Sequence, residues 1–175
     1  MRAQLTFAFG GLLAAQLPAD ALAASLEVDL EIPQLRVAEY HRPYVAVFVE
    51  GSDGKHAANL AVWYMSKDTA EGHGTKWLPD LRQWWRKSGR TLDVPVDGVT
   101  GPTRPAGRHA LKFDERHPEL SKLPAGDYVL VVEAAREVGG RELLRIPFTW
   151  PAQRAQTGRA QGSSELGAVV LKLSP

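Results

Sequence analysis

The alternation of apolar and acidic side chains in residues 26–32 most constrains the fold of this chain. Four apolar residues recur at every second position and therefore share one face of an extended strand, while the carboxylates share the other. The four are Leu26, Val28, Leu30 and Ile32. Pro33 follows at once and ends the predicted strand. A half-buried β-strand is the structure that this pattern predicts.

The remainder of the chain repeats short candidate strands separated by turn residues. A glycine-containing turn at 51–54 predicts a hairpin, and the paired glycines at 139 and 140, which tolerate positive φ, predict another. The candidate strands are residues 44–50, 60–65, 108–113, 128–135, 143–150 and 166–173, with a shorter one at 93–96. We predict a mainly β fold, an immunoglobulin-like two-sheet sandwich.

One tryptophan-rich segment departs from the strand pattern. Its apolar residues at positions 77, 78, 81, 84 and 85 have helical spacing, with Pro79 in a first turn and Gly89 at the stop. We therefore predict one short amphipathic helix at about 77–88, packed on a sheet. Residues 152–165 are polar and are predicted to form an exposed loop.

The first residues have the layout of a secretory signal peptide. Arg2 precedes an apolar run at 5–17, and the small residues Ala21 and Ala23 suit signal peptidase. A membrane anchor is the alternative, but it needs about 20 apolar residues, and Pro18 and Asp20 interrupt the run. We predict a cleaved leader at 1–23, a single β-sandwich domain at 24–175 with no membrane span, and export to the periplasm.

Composition excludes several classes of function. Lys and Arg number 21 against 20 Asp and Glu, and a net charge of +1 argues against nucleic-acid binding. The absence of cysteine excludes disulfides and thiolate chemistry. The five histidines are isolated in sequence, so no metal site is predicted. Serine-nucleophile motifs are also missing. An enzyme is not expected, although an enzyme that uses a histidine from a turn, with two histidines and a carboxylate converging in one pocket, stays an alternative.

The five tryptophans allow two interpretations. Aromatic rings can stack on sugars or bases, or they can fill the seam between a helix and a sheet. We favour packing, because Trp77 and Trp84 follow the helical period. The neighbours Trp84 and Trp85 cannot both face inward, so this pair is the candidate partner surface.

Residues 97–103 are the most unusual stretch. They resemble the acceptor signature Asp-x-x-Thr-Gly-x-Thr, on which periplasmic flavin transferases attach FMN through its phosphate to the last threonine. The resemblance implies a cofactor site at Asp97, Thr100, Gly101 and Thr103, with FMN on Thr103. An acceptor hydroxyl must be accessible, and Gly98 and Gly101 favour a flexible loop. A proline, Pro102, replaces the usual alanine, and a plain inter-strand loop is the alternative.

Several segments together resemble a bacterial family of unknown function labelled predicted periplasmic protein. They include strand 44–50, the tryptophan-rich segment and the loop at 100–107, and the likeness extends over residues 26–173. Residues 113–128, ending in Leu-Pro-Ala-Gly-x-Tyr, also resemble a hairpin of the sandwich domain in flagellar hook-capping proteins. The family resemblance implies a neighbourhood of PepSY-type membrane reductases and flavin transferases, and hence extracytoplasmic electron transfer or metal uptake.

These observations lead to two hypotheses of function. The first is a non-enzymatic periplasmic accessory protein of a redox or metal-uptake system, with covalent FMN and a membrane reductase or flavin transferase as partner. The second is a cofactor-free interaction module that docks through its tryptophan-rich helix or a sheet edge.

Overall fold

The computed structural model describes residues 24–67 and 72–175, so the predicted leader at 1–23 lies outside the described residues. Within these residues, nine strands form two sheets. The strands are β1 (Ser25–Ile32), β2 (Tyr44–Gly51), β3 (His56–Tyr64), β4 (Thr100–Pro102), β5 (Gly107–Asp114), β6 (Gly126–Ala135), β7 (Arg141–Trp150), β8 (Gln156–Gln161) and β9 (Ala168–Ser174). No helix in the described ranges has the length and hydropathy needed to cross a membrane.

The first sheet has the order β5-β1-β9-β8 and is antiparallel throughout. Along β1, every second side chain is buried, as the alternation in the sequence predicts. Val28 lies opposite Leu111 of β5 and Leu171 of β9. This sheet therefore buries one face against its partner sheet and leaves the other to solvent.

The second sheet has the order β4-β3-β2-β6-β7, in which only the β3–β4 pair is parallel. Strand β2 is buried on both faces: Val45, Val47 and Val49 face the inter-sheet core, whereas Ala46 and Phe48 face the opposite side. The mainly β, two-sheet sandwich is thus confirmed. The Tyr128 hydroxyl near the start of β6 donates to the Pro124 carbonyl (2.7 Å), a contact like the tyrosine corner of immunoglobulin-like domains.

The tryptophan-rich segment covers the outer face of the second sheet. It contains a 3₁₀ helix (Gly74–Asp80), a six-residue helix α1 (Arg82–Lys87) and a 3₁₀ turn (Gly89–Thr91). The helix expected at about 77–88 is thus shorter and interrupted. The chain leaves helical geometry at Leu81 (φ −74°, ψ 68°), and the free amides that begin α1 are bound by a sheet carboxylate described below.

Two sequence predictions about strands are wrong. Residues 93–96 form no strand, whereas β4 lies just beyond them. The predicted loop at 152–165 contains β8, a polar edge strand that pairs with β9. A Cβ on Gly158 would lie 2.3 Å from Cγ2 of Ile146. Glycine therefore permits the close approach of β8 to β7, and the polar composition conceals this strand.

The β6–β7 turn is also built differently from the prediction. The residue with positive φ is Val138 (φ 51°), not either of the adjacent glycines. The Arg136 carbonyl accepts from the Gly139 amide, and the Arg136 amide donates to the Gly140 carbonyl. The predicted hairpin is present, but its left-handed residue is a valine.

Candidate cofactor-attachment site

Residues 97–103 run from a tight turn into the edge strand β4. Gly98 has φ of +74°, a conformation that favours glycine. The Thr100 hydroxyl donates to the Val96 carbonyl (3.0 Å) and accepts from the Val96 amide (2.8 Å). Asp97 is exposed. Thr100 is therefore engaged in closing the turn, and its hydroxyl is not free for other chemistry.

The second half of the motif is fixed along β3. Gly101 lies opposite Trp63 and Pro102 opposite Tyr64, and the Thr103 amide donates to the Tyr64 carbonyl (3.1 Å). Pro102 is accommodated because β4 is an edge strand, where a missing N–H is tolerated. The motif is therefore part turn and part edge strand, not a flexible loop throughout.

Thr103 lies half-buried on the wall of a cavity of about 270 Å³. Its hydroxyl forms no hydrogen bond within residues 24–67 and 72–175. The two threonines of the motif thus differ, because one hydroxyl is engaged in a turn and the other is available at a cavity.

Three aromatic residues, Tyr40, Tyr44 and Trp77, line this cavity together with Thr103. The Tyr44 hydroxyl donates to the Gly74 carbonyl (2.9 Å). Burial raises the pKa of Tyr44, and the nearby carboxylates of Glu137 and Asp80 raise it further, so this phenol stays neutral.

Charged groups surround the rim of the same cavity. His41 contacts the carboxylates of Glu39 (2.9 Å) and Glu137 (3.5 Å). Arg42 is exposed and forms no ion pair within the part of the chain that the structure describes. The free cation of this rim can therefore face an anionic group.

The hydroxyl oxygen of Tyr40 is buried and has no hydrogen-bond partner among the described residues. Leaving a buried hydroxyl unpaired costs about 1–3 kcal/mol. Tyr40 also lines the cavity, and a ligand atom or water molecule there would satisfy this hydroxyl after a small rotation of the side chain. The cavity thus combines a free hydroxyl on Thr103, aromatic walls, a free cation and an unsatisfied donor.

The helical segment below this cavity is held by the buried carboxylate of Glu133 on β6. Glu133 accepts from the backbone amides of Gln83 (3.0 Å) and Trp84 (2.8 Å) and from Nε of Arg141 (2.6 Å). These contacts bind the free amides at the start of α1 and explain why the helix begins at Arg82.

A second buried carboxylate, Glu50 on β2, holds the other end of the helix. It accepts from Gln83 (3.0 Å) and pairs with Lys87 (2.9 Å) and Arg145. Burial alone raises the pKa of Glu50, but hydrogen bonds from Lys87, Gln83 and Arg145 outweigh burial, and its pKa lies below the ordinary value. The pair of carboxylates therefore fixes the tryptophan-rich segment on the sheet.

The two adjacent tryptophans have different environments. Trp84 is fully buried, and its Nε1 donates to Asn59 (2.9 Å). Trp85 is half-buried and lines a cleft of about 410 Å³. Four arginines line this cleft with Trp85: Arg82, Arg86, Arg90 and Arg141. Trp84 is therefore part of the core and not of a partner surface, and the surroundings of Trp85 are strongly basic.

Three of the histidines contact different parts of the fold. His109 contacts the Pro105 carbonyl (2.8 Å) and packs edge-on against Trp63, whereas His56 stacks on Phe48. Of the residues singled out in the sequence, His41 lies at the cavity beside Arg42. No group of three or more potential metal ligands is present among the residues that the structure describes.

Sequence reasoning missed the two buried carboxylates and the aromatic wall at Tyr40. Glu50 and Glu133 did carry a signal, because each is an acidic residue inside an otherwise apolar strand, on the face that meets the helix. Tyr40 and Arg42 precede β2 in irregular structure and carried no periodic signal. Only the folded chain brings them to Thr103.

The geometry defines a small sandwich domain with a free threonine hydroxyl at an aromatic cavity. The chain belongs to the family described as "Predicted periplasmic protein (DUF2271)", which matches residues 25–168. No curated protein and no solved structure matches the chain at a significant level. The family description supports a periplasmic protein of unknown function.

Proposed function

We propose that this protein is a non-enzymatic accessory of an extracytoplasmic redox or metal-uptake system and carries FMN covalently on Thr103. One observation carries the proposal. The threonine at the acceptor position has a free hydroxyl on an aromatic cavity, whereas Thr100 of the same motif is hydrogen-bonded in a turn.

The attachment is a phosphoryl transfer from a flavin dinucleotide. Oγ of Thr103 forms a bond to the FMN phosphorus, the phosphoanhydride bond breaks, AMP leaves and the hydroxyl proton passes to solvent. A nucleophile that a protein activates itself needs a hydrogen-bonded base. Thr103 has none within the described residues. We therefore assign activation to a separate flavin transferase.

The phosphodiester leaves one negative charge beside Thr103. Arg42 lies on the same cavity and can offset that charge. Arg104, which follows the motif directly, stacks instead on Trp63, 5.0 Å from the ring centre. When bound, FMN supplies electron transfer, and the protein contributes attachment and orientation toward a membrane reductase.

The test is co-expression with a periplasmic flavin transferase, followed by intact mass and visible absorbance. We expect one FMN adduct on the wild-type protein and on Thr103→Ser, and none on Thr103→Ala. Thr157→Ala is the control, because Thr157 is an exposed threonine of the edge strand β8 and lies outside the motif; it should carry FMN like the wild type. Unmodified wild-type protein, or an adduct that persists in Thr103→Ala, would refute the proposal.

A second candidate function, a cofactor-free interaction module, is favoured by the basic cleft around Trp85. Arginine and tryptophan are the residues that dominate protein interfaces. Arg82 and Arg90 are exposed and form no ion pair within the described residues. We propose an acidic segment of a periplasmic partner as the ligand of this cleft.

The interaction can be measured with a fluorescent poly-glutamate peptide as probe. Binding should fall at least about tenfold in Arg82→Ala/Arg90→Ala and in Trp85→Ala. Arg154→Ala, which changes an exposed arginine elsewhere, should bind like the wild type. No binding at low salt, or equal binding by all variants, would exclude this surface.

A further inference from the structure

We infer that the cavity beside Thr103 is the binding site for the isoalloxazine ring of the attached flavin. This inference rests on the proposed attachment of FMN to Thr103, and it goes further because it assigns residues outside the motif. The attachment alone predicts only a tethered cofactor, which could equally extend into solvent.

The cavity has the size and walls of a site for one planar ring system. Its volume is about 270 Å³, near the lower end of small-molecule sites, which range over roughly 300–1,000 Å³. Tyr40, Tyr44 and Trp77 supply aromatic surface, and aromatic pairs stack favourably with offset rings. Trp77 is half-buried, and the Lys76 ammonium lies 5.1 Å from its ring centre, so a flavin would stack on the part of the ring that is still exposed.

Two polar groups of the cavity are complementary to a flavin, and they share its lining with the carboxylates of Asp80 and Glu137. The Tyr40 hydroxyl is buried and lacks a partner, and a small rotation of this side chain would let it donate to a carbonyl oxygen or ring nitrogen in the cavity. Arg42 is the free cation of the rim and suits the phosphate. Tyr40 and Arg42 lie in the segment just before β2. Their side chains form no hydrogen bond or ion pair with the described residues.

The cavity is also held in shape before any ligand arrives. The Tyr44 hydroxyl is bonded to Gly74, which packs so closely that a Cβ there would lie 1.8 Å from the Met65 carbonyl oxygen. Trp77 belongs to the 3₁₀ helix that precedes the anchored helix α1, from which it is separated by Leu81 alone. A preformed pocket lowers the entropic cost of ordering a tethered ring.

The experiment compares FMN-loaded proteins by flavin fluorescence, iodide quenching and thermal unfolding. In the wild type, stacking should quench the flavin several-fold relative to free FMN and protect it from iodide. FMN loading should also raise the Tm by a few degrees relative to unloaded protein. In loaded Trp77→Leu, fluorescence and iodide access should rise toward those of free FMN, and the Tm increment should vanish.

Tyr40→Phe is the conservative second variant, because it removes only the hydroxyl. It should keep the quenching but lose part of the Tm increment. Phe113→Leu is the matched control, since Phe113 is also a half-buried aromatic residue but lies outside this cavity; it should behave like the wild type.

The outcomes separate the two claims. If mass spectrometry finds no FMN on wild-type protein, the proposed function and this inference both fail. If FMN is attached but its fluorescence and iodide quenching equal those of free FMN, the ring lies in solvent. The attachment would then stand, and the ring site would be overturned. A loaded Trp77→Leu protein that stays quenched would overturn it as well.

Discussion

The two faces of the five-stranded sheet differ in what they bury. The inner face packs against the other sheet through apolar side chains such as Val47 and Leu130, which share one core with Leu171 of the four-stranded sheet. The outer face, under the tryptophan-rich segment, buries Phe48 and Trp84 together with the carboxylates of Glu50 and Glu133. Both candidate sites adjoin this outer layer. The inner core therefore specifies the fold, whereas the outer layer positions the functional groups.

The largest effect should come from the inner core. Leu130→Ala removes a fully buried side chain and should lower the free energy of unfolding by about 2–5 kcal/mol, because the cavity left behind collapses only partly. Urea unfolding at pH 7 and pH 5 should give the same loss at both values. Val37→Ala, at an exposed side chain, should change stability by less than about 0.5 kcal/mol. A small or strongly pH-dependent loss for Leu130→Ala would contradict the assignment of this core.

The second-largest loss of stability should come from removing a buried charge in the outer layer. Glu133→Gln keeps the size of the side chain but loses the charge that holds two amides of α1 and Arg141, and should cost about 2 kcal/mol. Hydrogen exchange should speed up at Gln83 and Trp84 far more than in β1. Glu115→Gln, at an exposed glutamate, is the control with no such change. Equal protection of α1 in both variants would contradict the role of Glu133.

The two layers also differ in how far the sequence predicts them. The alternation in β1 predicted its buried face residue by residue, because an amphipathic strand has one face exposed to solvent. The outer layer could not be read this way, since a strand buried on both faces loses alternation. Glu133 caps a helix 49 positions away, and no local pattern encodes such a contact.

The same limit applies to the candidate site. The motif at 97–103, with Thr103 as its last residue, could be located from its residue types. That Thr100 is engaged in a turn depends on backbone geometry. Tyr40 and Arg42 reach the cavity only because the segment before β2 and the end of β4 lie at neighbouring positions of the fold.

A third effect concerns Glu142 on β7, which ties β7 to the turn before β9. It accepts from the backbone amides of Ser163 (2.7 Å), Ser164 (3.1 Å) and Leu166 (2.8 Å). Burial alone raises the pKa of Glu142, but these donors outweigh it and lower the pKa to about 2.

Because the folded-state pKa lies below the unfolded value of about 4.3, the stabilisation by Glu142 is complete above about pH 5. It is lost as the pH falls toward 2. After allowance for screening at this partly exposed group, the loss should be on the order of 2 kcal/mol. Urea unfolding between pH 7 and pH 3 should show it in the wild type and in Glu115→Gln, but not in Glu142→Gln. An unchanged acid slope in Glu142→Gln would contradict the account of this turn.

The smallest effect on stability should come from the basic cleft. Arg82→Ala/Arg90→Ala removes exposed cations without ion pairs in the described residues, so the free energy of unfolding should change by less than about 0.5 kcal/mol. A loss of peptide binding in this variant would then report on the surface and not on folding. A large drop in Tm would show instead that these arginines support the outer layer.

Peptide mapping of FMN-loaded protein tests the attachment most directly. Protein co-expressed with a flavin transferase would be digested, and the fragment containing both motif threonines sequenced by tandem mass spectrometry. We predict FMN on Thr103 alone, because that hydroxyl is free and Thr100 is held by Val96. FMN on Thr100, or a fragment that is never modified, would contradict the attachment of FMN to Thr103.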